Sequence, residues 1–168
     1  MDISARLVPL DARFATELVQ NVLKKEAAMT IKRPQNHTVL VAEDEDSLQS
    51  LAIVTIKEKG LNVLAASGAE EAIRLWDRHA HDIVLLFTDI VLPGPMNGFD
   101  IASHIRAKCP TLPVIFSSGY SRTLADDGAN LHEGAAYLAK PYRQLELSAL
   151  LSKMLPRNGR RPAGTHSQ

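Results

Sequence analysis

A single cysteine, Cys109, is all the thiol chemistry this chain has. That excludes a disulfide framework within the chain and any multi-cysteine metal site. Charge of one sign is also missing. Lys and Arg number 19, Asp and Glu number 19, and the formal net charge is zero. Neutrality gives no electrostatic footing on nucleic acid or on an anionic membrane. No apolar stretch reaches the ~18 residues of a membrane span. The charged N-terminus has no apolar segment of the kind a secretory signal needs. There is no Walker A loop and no long-period repeat. What remains is 45% hydrophobic and 168 residues long. That is enough for one soluble domain with a real core and a little extra, and a cytoplasmic location is expected.

Three stretches stand apart in composition. Residues 1–29 carry an amphipathic helical extension, with Phe14, Leu18 and Val22 at i, i+4 spacing and Asp11 placed to cap its start. Residues 30–37, TIKRPQNH, form a polar linker broken by Pro34. Residues 156–168 are expected to be a disordered tail, too short for a DNA-binding output domain.

Residues 38–155 alternate between two periods. The runs TVLVAE, LNVLAA, DIVLLFT, LPVIFS and AAYLAK are strand-like. Between and after them lie helical patterns, the first stopped by Gly60 and the third by Pro110. Ala69, Ala72, Ile73 and Trp76 share one helical face, and so do Leu147, Leu150, Leu151 and Met154. A weaker pattern over 121–134 is diluted by Gly128. Five strands alternating with five helices predict an α/β fold, a parallel sheet covered on both faces. Ligands of such sheets bind beyond the carboxyl ends of the strands. The first strand ends in Glu43 and Asp44, the third in Asp89, the fourth in Ser117 and Ser118, and the fifth in Lys140 before Pro141.

The pieces VLVAEDE, TDIVLPG, VIFSSGY and YLAKPY, in that order and at strand ends, resemble the receiver domain of two-component response regulators. The SSGY and AKPY wording is closest to receivers of hybrid histidine kinases and their stand-alone relatives. The resemblance covers 38–155 and implies a doubly wound, flavodoxin-like five-stranded sheet of order 2-1-3-4-5. It implies a phosphoacceptor at Asp89, a hydroxyl at Ser118, an ammonium at Lys140, and a switch aromatic at Tyr137. It also implies Mg²⁺ held by Glu43, Asp44, Asp89 and the backbone carbonyl of Val91. The partners implied are a histidine kinase or histidine phosphotransfer protein and a downstream protein target, with no DNA and no membrane. A homodimer through the N-terminal helix stays open. No dedicated enzyme activity is expected beyond the domain's promotion of its own phosphorylation and dephosphorylation.

Elementary chemistry agrees with that set. Two carboxylates about 4 Å apart repel by about 4 kcal/mol at an effective dielectric near 20, so such a cluster needs a cation or raised pKa values. Hard oxygen ligands in an open site suit Mg²⁺, and a carboxylate beside it is a nucleophile for phosphoryl transfer. The chain departs from the family pattern in three places: Glu43 stands where aspartate is commoner, the loop from Asp89 to Gly98 is one residue longer, at Gly94 or Pro95, and the N-terminal helix is not part of a receiver. Glu43 and Asp44 also suit a helix cap, and Asp46 is the expected one. His79 and His81 have metal-ligand spacing, but a solvated pair at a helix end is the expectation. Cys109 is expected to be half-buried. Two other classes stay open. A haloacid-dehalogenase-like phosphohydrolase shares the Asp, Ser, Lys and Mg²⁺ set but needs a second aspartate at the position of Val91. A receiver-fold binding module would work without phosphorylation.

Overall fold

The computed structural model describes residues 37–119 and 134–155. The expected helix over 1–29, the linker up to residue 36, the weak helix around 124–131 and the tail over 156–168 lie outside the described residues. Five strands form one sheet: β1 (Thr38–Ala42), β2 (Asn62–Ala66), β3 (Ile83–Asp89), β4 (Val114–Ser118) and β5 (Ala135–Ala139). Their order is β2-β1-β3-β4-β5, with every neighbouring pair parallel. That is the order the resemblance implies. The described residues include the helices α1 (Asp46–Glu58), α2 (Ala69–His79), α3 (Gly98–Lys108) and α4 (Gln144–Met154).

Every residue of β1, β3 and β4 is buried, which is why those runs are continuously apolar instead of alternating. Alternation still sorts their side chains between two cores. Val39, Val41, Leu85, Phe87 and Ile115 pack with Ala52 and Ile56 of α1 and Leu147 and Leu151 of α4. Leu40, Ala42, Leu86, Val114 and Phe116 pack with Ala72 and Trp76 of α2 and Ile101 and Ile105 of α3.

The helix ends follow local chemistry. α1 stops where Gly60 adopts φ +74°, the left-handed conformation glycine tolerates. α3 begins at a reciprocal cap. The Asn97 side chain accepts the N–H groups of Phe99 and Asp100 at 2.8 and 3.1 Å, and the Asp100 carboxylate accepts the Asn97 N–H at 2.8 Å. Two local expectations change. Asp46 does not cap α1: Glu45 holds that position without a side-chain cap bond and instead accepts the Ser47 hydroxyl. Asp46 sits in the first turn, where its charge still favours the helix N-terminus. Cys109 is fully buried, because it caps the C-terminus of α3 with its N–H on the Ile105 carbonyl and its thiol in the core.

Candidate functional site

The strand order reverses between β1 and β3, which opens a crevice at their carboxyl ends. Alternation carries the α1/α4-facing rows one step further. Val39 and Val41 lead to Glu43, Leu85 and Phe87 lead to Asp89, and Leu138 leads to Lys140. Three apolar rows of one core thus end in two acids and an ammonium.

These groups meet. Carboxylate oxygens of Glu43, Asp44 and Asp89 all lie within 4.8 Å of one another. Asp44 is exposed, while Glu43 is wholly buried and Asp89 is 7% exposed. The Lys140 ammonium donates to Asp89 Oδ2 at 2.5 Å and to Glu43 Oε1 at 2.8 Å. It also lies 2.8 Å from Glu43 Oε2, yet that oxygen is buried and accepts no hydrogen bond among the described residues. Burial pushes the Glu43 carboxyl above its ordinary value, against the Lys140 ammonium that pulls it down. Burial would lower Lys140, but the Asp89 and Glu43 carboxylates outweigh it and hold the ammonium above its ordinary value. The repulsion expected among the acids is therefore offset by a cation of the chain's own.

The backbone around Asp89 is closely held. Its Oδ1 accepts the Val91 N–H at 3.1 Å, and its carbonyl accepts the Thr88 hydroxyl at 2.8 Å. The Gly98 backbone is pressed against that same carbonyl. A Cβ there would collide with the Asp89 carbonyl oxygen and sit 3.0 Å from Thr88 Oγ1. Glycine is needed at position 98 for close approach, not for a special φ. Within the Asp89–Gly98 loop Gly94 takes φ +96° with open space around it, and the acids stand together at its start. Ser117 is fully buried and donates to the Thr88 carbonyl at 3.5 Å. Ser118 is 3% exposed, and its carbonyl accepts the Lys140 N–H at 2.8 Å. Val91 is exposed, and Tyr137 is half-buried on the opposite face, stacked on Phe116. His79 and His81 are both exposed.

Sequence reasoning missed two neighbours. Gly98 showed only as one glycine of a turn-rich loop. Tyr142, in the AKPY piece, stands edge-on to Phe87 with centroids 5.9 Å apart, and among the described residues its buried hydroxyl has no hydrogen-bond partner. Burial and then the nearby Glu43, Asp89 and Glu45 charges push that phenol far above its usual value. A cleft of about 430 Å³ lies between the start of α2 and Pro93–Met96, but none of the site carboxylates lines it.

A metal fits these residues. Three carboxylates converge, one presents a buried oxygen that accepts no hydrogen bond, and all donors are hard oxygens. Among the described residues no helix is long and apolar enough to cross a membrane.

The family model of the response regulator receiver domain matches residues 39–152. The sensory transduction protein RegX3 of Mycobacterium tuberculosis is 34% identical over 123 residues, covering 73% of this chain and 52% of that protein. The chain spans about half the length of the curated relatives it matches. Among solved structures, the receiver domain of the hybrid histidine kinase CckA is 30% identical with a TM-score of 0.60, over 71% of this chain and 99% of that one. A response regulator receiver domain protein from Clostridium thermocellum is 28% identical with a TM-score of 0.62, over 70% of this chain and 93% of that one. With its sheet order, its strand-end acids and this match, the chain belongs to the response regulator receiver domain family of two-component signalling.

Proposed function

We propose that Asp89 accepts a phosphoryl group with the help of Mg²⁺, from a histidine kinase or a histidine phosphotransfer protein, and that the chain passes this state on by contact with a protein target. One observation carries the reading. Asp89 ends a fully buried strand with its carboxylate still reachable, between the Lys140 ammonium and the Glu43 and Asp44 acids.

Glu43, Asp44, Asp89 and the Val91 carbonyl would hold the metal. When bound, Mg²⁺ supplies positive charge to the oxygens of the phosphoryl group in flight. The chain's own groups do the rest. An Asp89 oxygen forms the new O–P bond as the donor's P–N bond breaks, and the departing imidazole takes a proton from solvent. With acetyl phosphate a P–O bond breaks instead and acetate leaves. Lys140 already touches Asp89, so its ammonium can follow the charge onto the phosphoryl oxygens without crossing the site. The Ser118 hydroxyl donates to the new group, and Tyr137 answers on β5. Val91 is apolar and exposed where a hydrolase of the haloacid dehalogenase type needs an acid, so multiple turnover on phosphomonoesters is not expected.

Incubation with acetyl phosphate and Mg²⁺ should add one labile phosphoryl group, read by intact-mass spectrometry. Asp89→Asn keeps the shape and should abolish it. Equal labelling of that variant would sink the assignment. Mg²⁺ should also raise the melting temperature, by about 2.7 kcal/mol of stability at one hundred times its Kd. The pH dependence has a definite sign. Protonated Glu43 is no ligand, and its value lies above the ordinary 4.5. Mg²⁺ affinity should therefore weaken on acidification before the usual carboxylate range is reached. Affinity that stays flat until that range would mean that Glu43 is no ligand or that its carboxyl is not raised.

A further inference from the structure

Among the described residues, three buried side-chain polar atoms make no hydrogen bond: Trp76 Nε1, Glu43 Oε2 and the Tyr142 hydroxyl. Trp76 belongs to the core under α2 and α3. The other two meet on the opposite side. Tyr142 packs in the core under α1 and α4 and is 5% exposed. Glu43 continues the Val39–Val41 row of that same core and is wholly buried. Their chemistry is complementary, since a phenol donates and a carboxylate oxygen accepts.

The packing brings the phenol toward the acids. Tyr142 stands edge-on to Phe87, and Phe87 pairs in register with Val41. Phe87 and Val41 each lie two residues before a site acid, Asp89 and Glu43, on the same face. The ring is therefore set against both rows that end in carboxylates. Burial first, and then Glu43 ahead of Asp89 and Glu45, raises the phenol, so Glu43 is the charge that reaches it most strongly and the hydroxyl stays a donor. Phenylalanine would keep the ring contact with Phe87 and bury no hydroxyl. On the Glu43 side, Oε1 accepts the Lys140 ammonium at 2.8 Å and the Glu45 N–H at 3.3 Å, which leaves Oε2 uncommitted. A carboxylate that ligates a metal is itself oriented by hydrogen bonds from outside the ligand shell.

We propose that Tyr142 is a positioning residue of the metal site, its hydroxyl being the donor that orients the Glu43 carboxylate toward a bound divalent cation. This rests on the reading of Glu43, Asp44 and Asp89 as metal ligands. The sign of the outcome follows from the unpaired hydroxyl. Without the ion it is a buried polar group with no partner, so removing it leaves the fold as stable as before or more so. With the ion it is in use, so removing it weakens binding. A residue that only fills the core would change neither in this way, and one that supports the fold would lower both.

The test uses the full chain, Mg²⁺ alone and the Tyr142→Phe variant. Calorimetric titration should give a Mg²⁺ Kd weaker by roughly 10- to 100-fold. Urea unfolding without metal should give a midpoint equal to or above that of the wild type. A second measurement needs no folded variant. In wild type with ring-labelled tyrosine, the NMR signal of Tyr142 should move as Mg²⁺ is added. An unchanged Kd in the variant, or a Tyr142 signal indifferent to Mg²⁺ in a wild type that binds it, overturns the role of Tyr142 and leaves the metal site standing. A lower metal-free midpoint overturns it as well, because the hydroxyl would then have a partner already. A wild type that binds no Mg²⁺ overturns both readings.

Discussion

On one face of the sheet, rows of Val, Leu and Phe pack against α1 and α4 and run out into Glu43, Asp89 and Lys140. On the other face, rows of the same strands pack against α2 and α3 and run out into Thr88, Ser118 and the Phe116–Tyr137 stack. The strands are shared, so one residue of register separates charge chemistry from packing. The first face is held by charge compensation, and its energetics should answer to pH and to divalent cations. The second is held by close approach at Gly98 and by rings, and should answer to neither. A parallel sheet buried on both sides can thus end one face in charged groups and the other in closely packed rings.

Substitutions on the two faces break the comparison in different ways. The largest effect belongs to Lys140→Ala. It leaves Glu43 and Asp89 buried without their counter-charge, and breaking a buried pair costs about 3 kcal/mol or more. Acidification should return part of that loss, since a protonated Glu43 no longer repels Asp89, and millimolar Mg²⁺ should return part of it at neutral pH. Urea unfolding of variant and wild type, at neutral and mildly acid pH with and without Mg²⁺, reads all of this. A deficit indifferent to both would mean that Lys140 acts through packing. In the wild type, the raised Lys140 value means its contribution is fully present below the ordinary 10.5 and is lost only as pH rises through the higher folded value. Wild-type stability should accordingly be level with respect to this group across neutral pH.

Gly98→Ala comes next. The added methyl meets the Asp89 carbonyl, which is backbone and cannot swing aside, so strand and helix must part at a cost of about 2 kcal/mol. Neither acid nor Mg²⁺ should restore it, and phosphorylation by acetyl phosphate should slow because the Asp89 backbone moves. Restoration by Mg²⁺ would show that the two faces are not energetically separate. The smallest effect is that of Asn97→Ala. Loss of its cap should lower stability by about 1 kcal/mol while leaving Mg²⁺ affinity nearly unchanged. A clear loss of metal affinity would mean that the start of α3 positions the acids as well as the Asp89 carbonyl.

Much of this was legible in the chain. Continuous apolar runs broken by helical periods implied a covered parallel sheet, and reading the strand ends brought Glu43, Asp44, Asp89, Ser118 and Lys140 to one edge. The inward faces of α2 and α4 largely agree, with Ala69, Ala72, Trp76, Leu147 and Leu151 buried and Ile73, Leu150 and Met154 half-buried. What a sequence does not carry is distance between side chains far apart in the chain. Lys140 shared between Glu43 and Asp89 is a contact across 97 and 51 residues, and residue type alone could not tell a shared ammonium from a neighbouring one. Gly98 leaves a signal only in hindsight, since most glycines in such loops serve a turn. The cap of α1 was misjudged by one residue because four acidic residues stand in a row from Glu43 to Asp46, and only geometry decides which of them begins the helix.

The shared ammonium has one more consequence, in the arithmetic of charge. With its three acids ionised and Lys140 protonated, the cluster sums to three negative charges and one positive, or minus two. A doubly charged ion brings that sum to zero, a singly charged one leaves it short, and a triply charged one overshoots. Removing Lys140 would shift the neutral point to a trivalent ion. If the acids hold a metal as proposed, the lysine sets the valence they prefer, and a lanthanide should gain on Mg²⁺ in the Lys140→Ala variant.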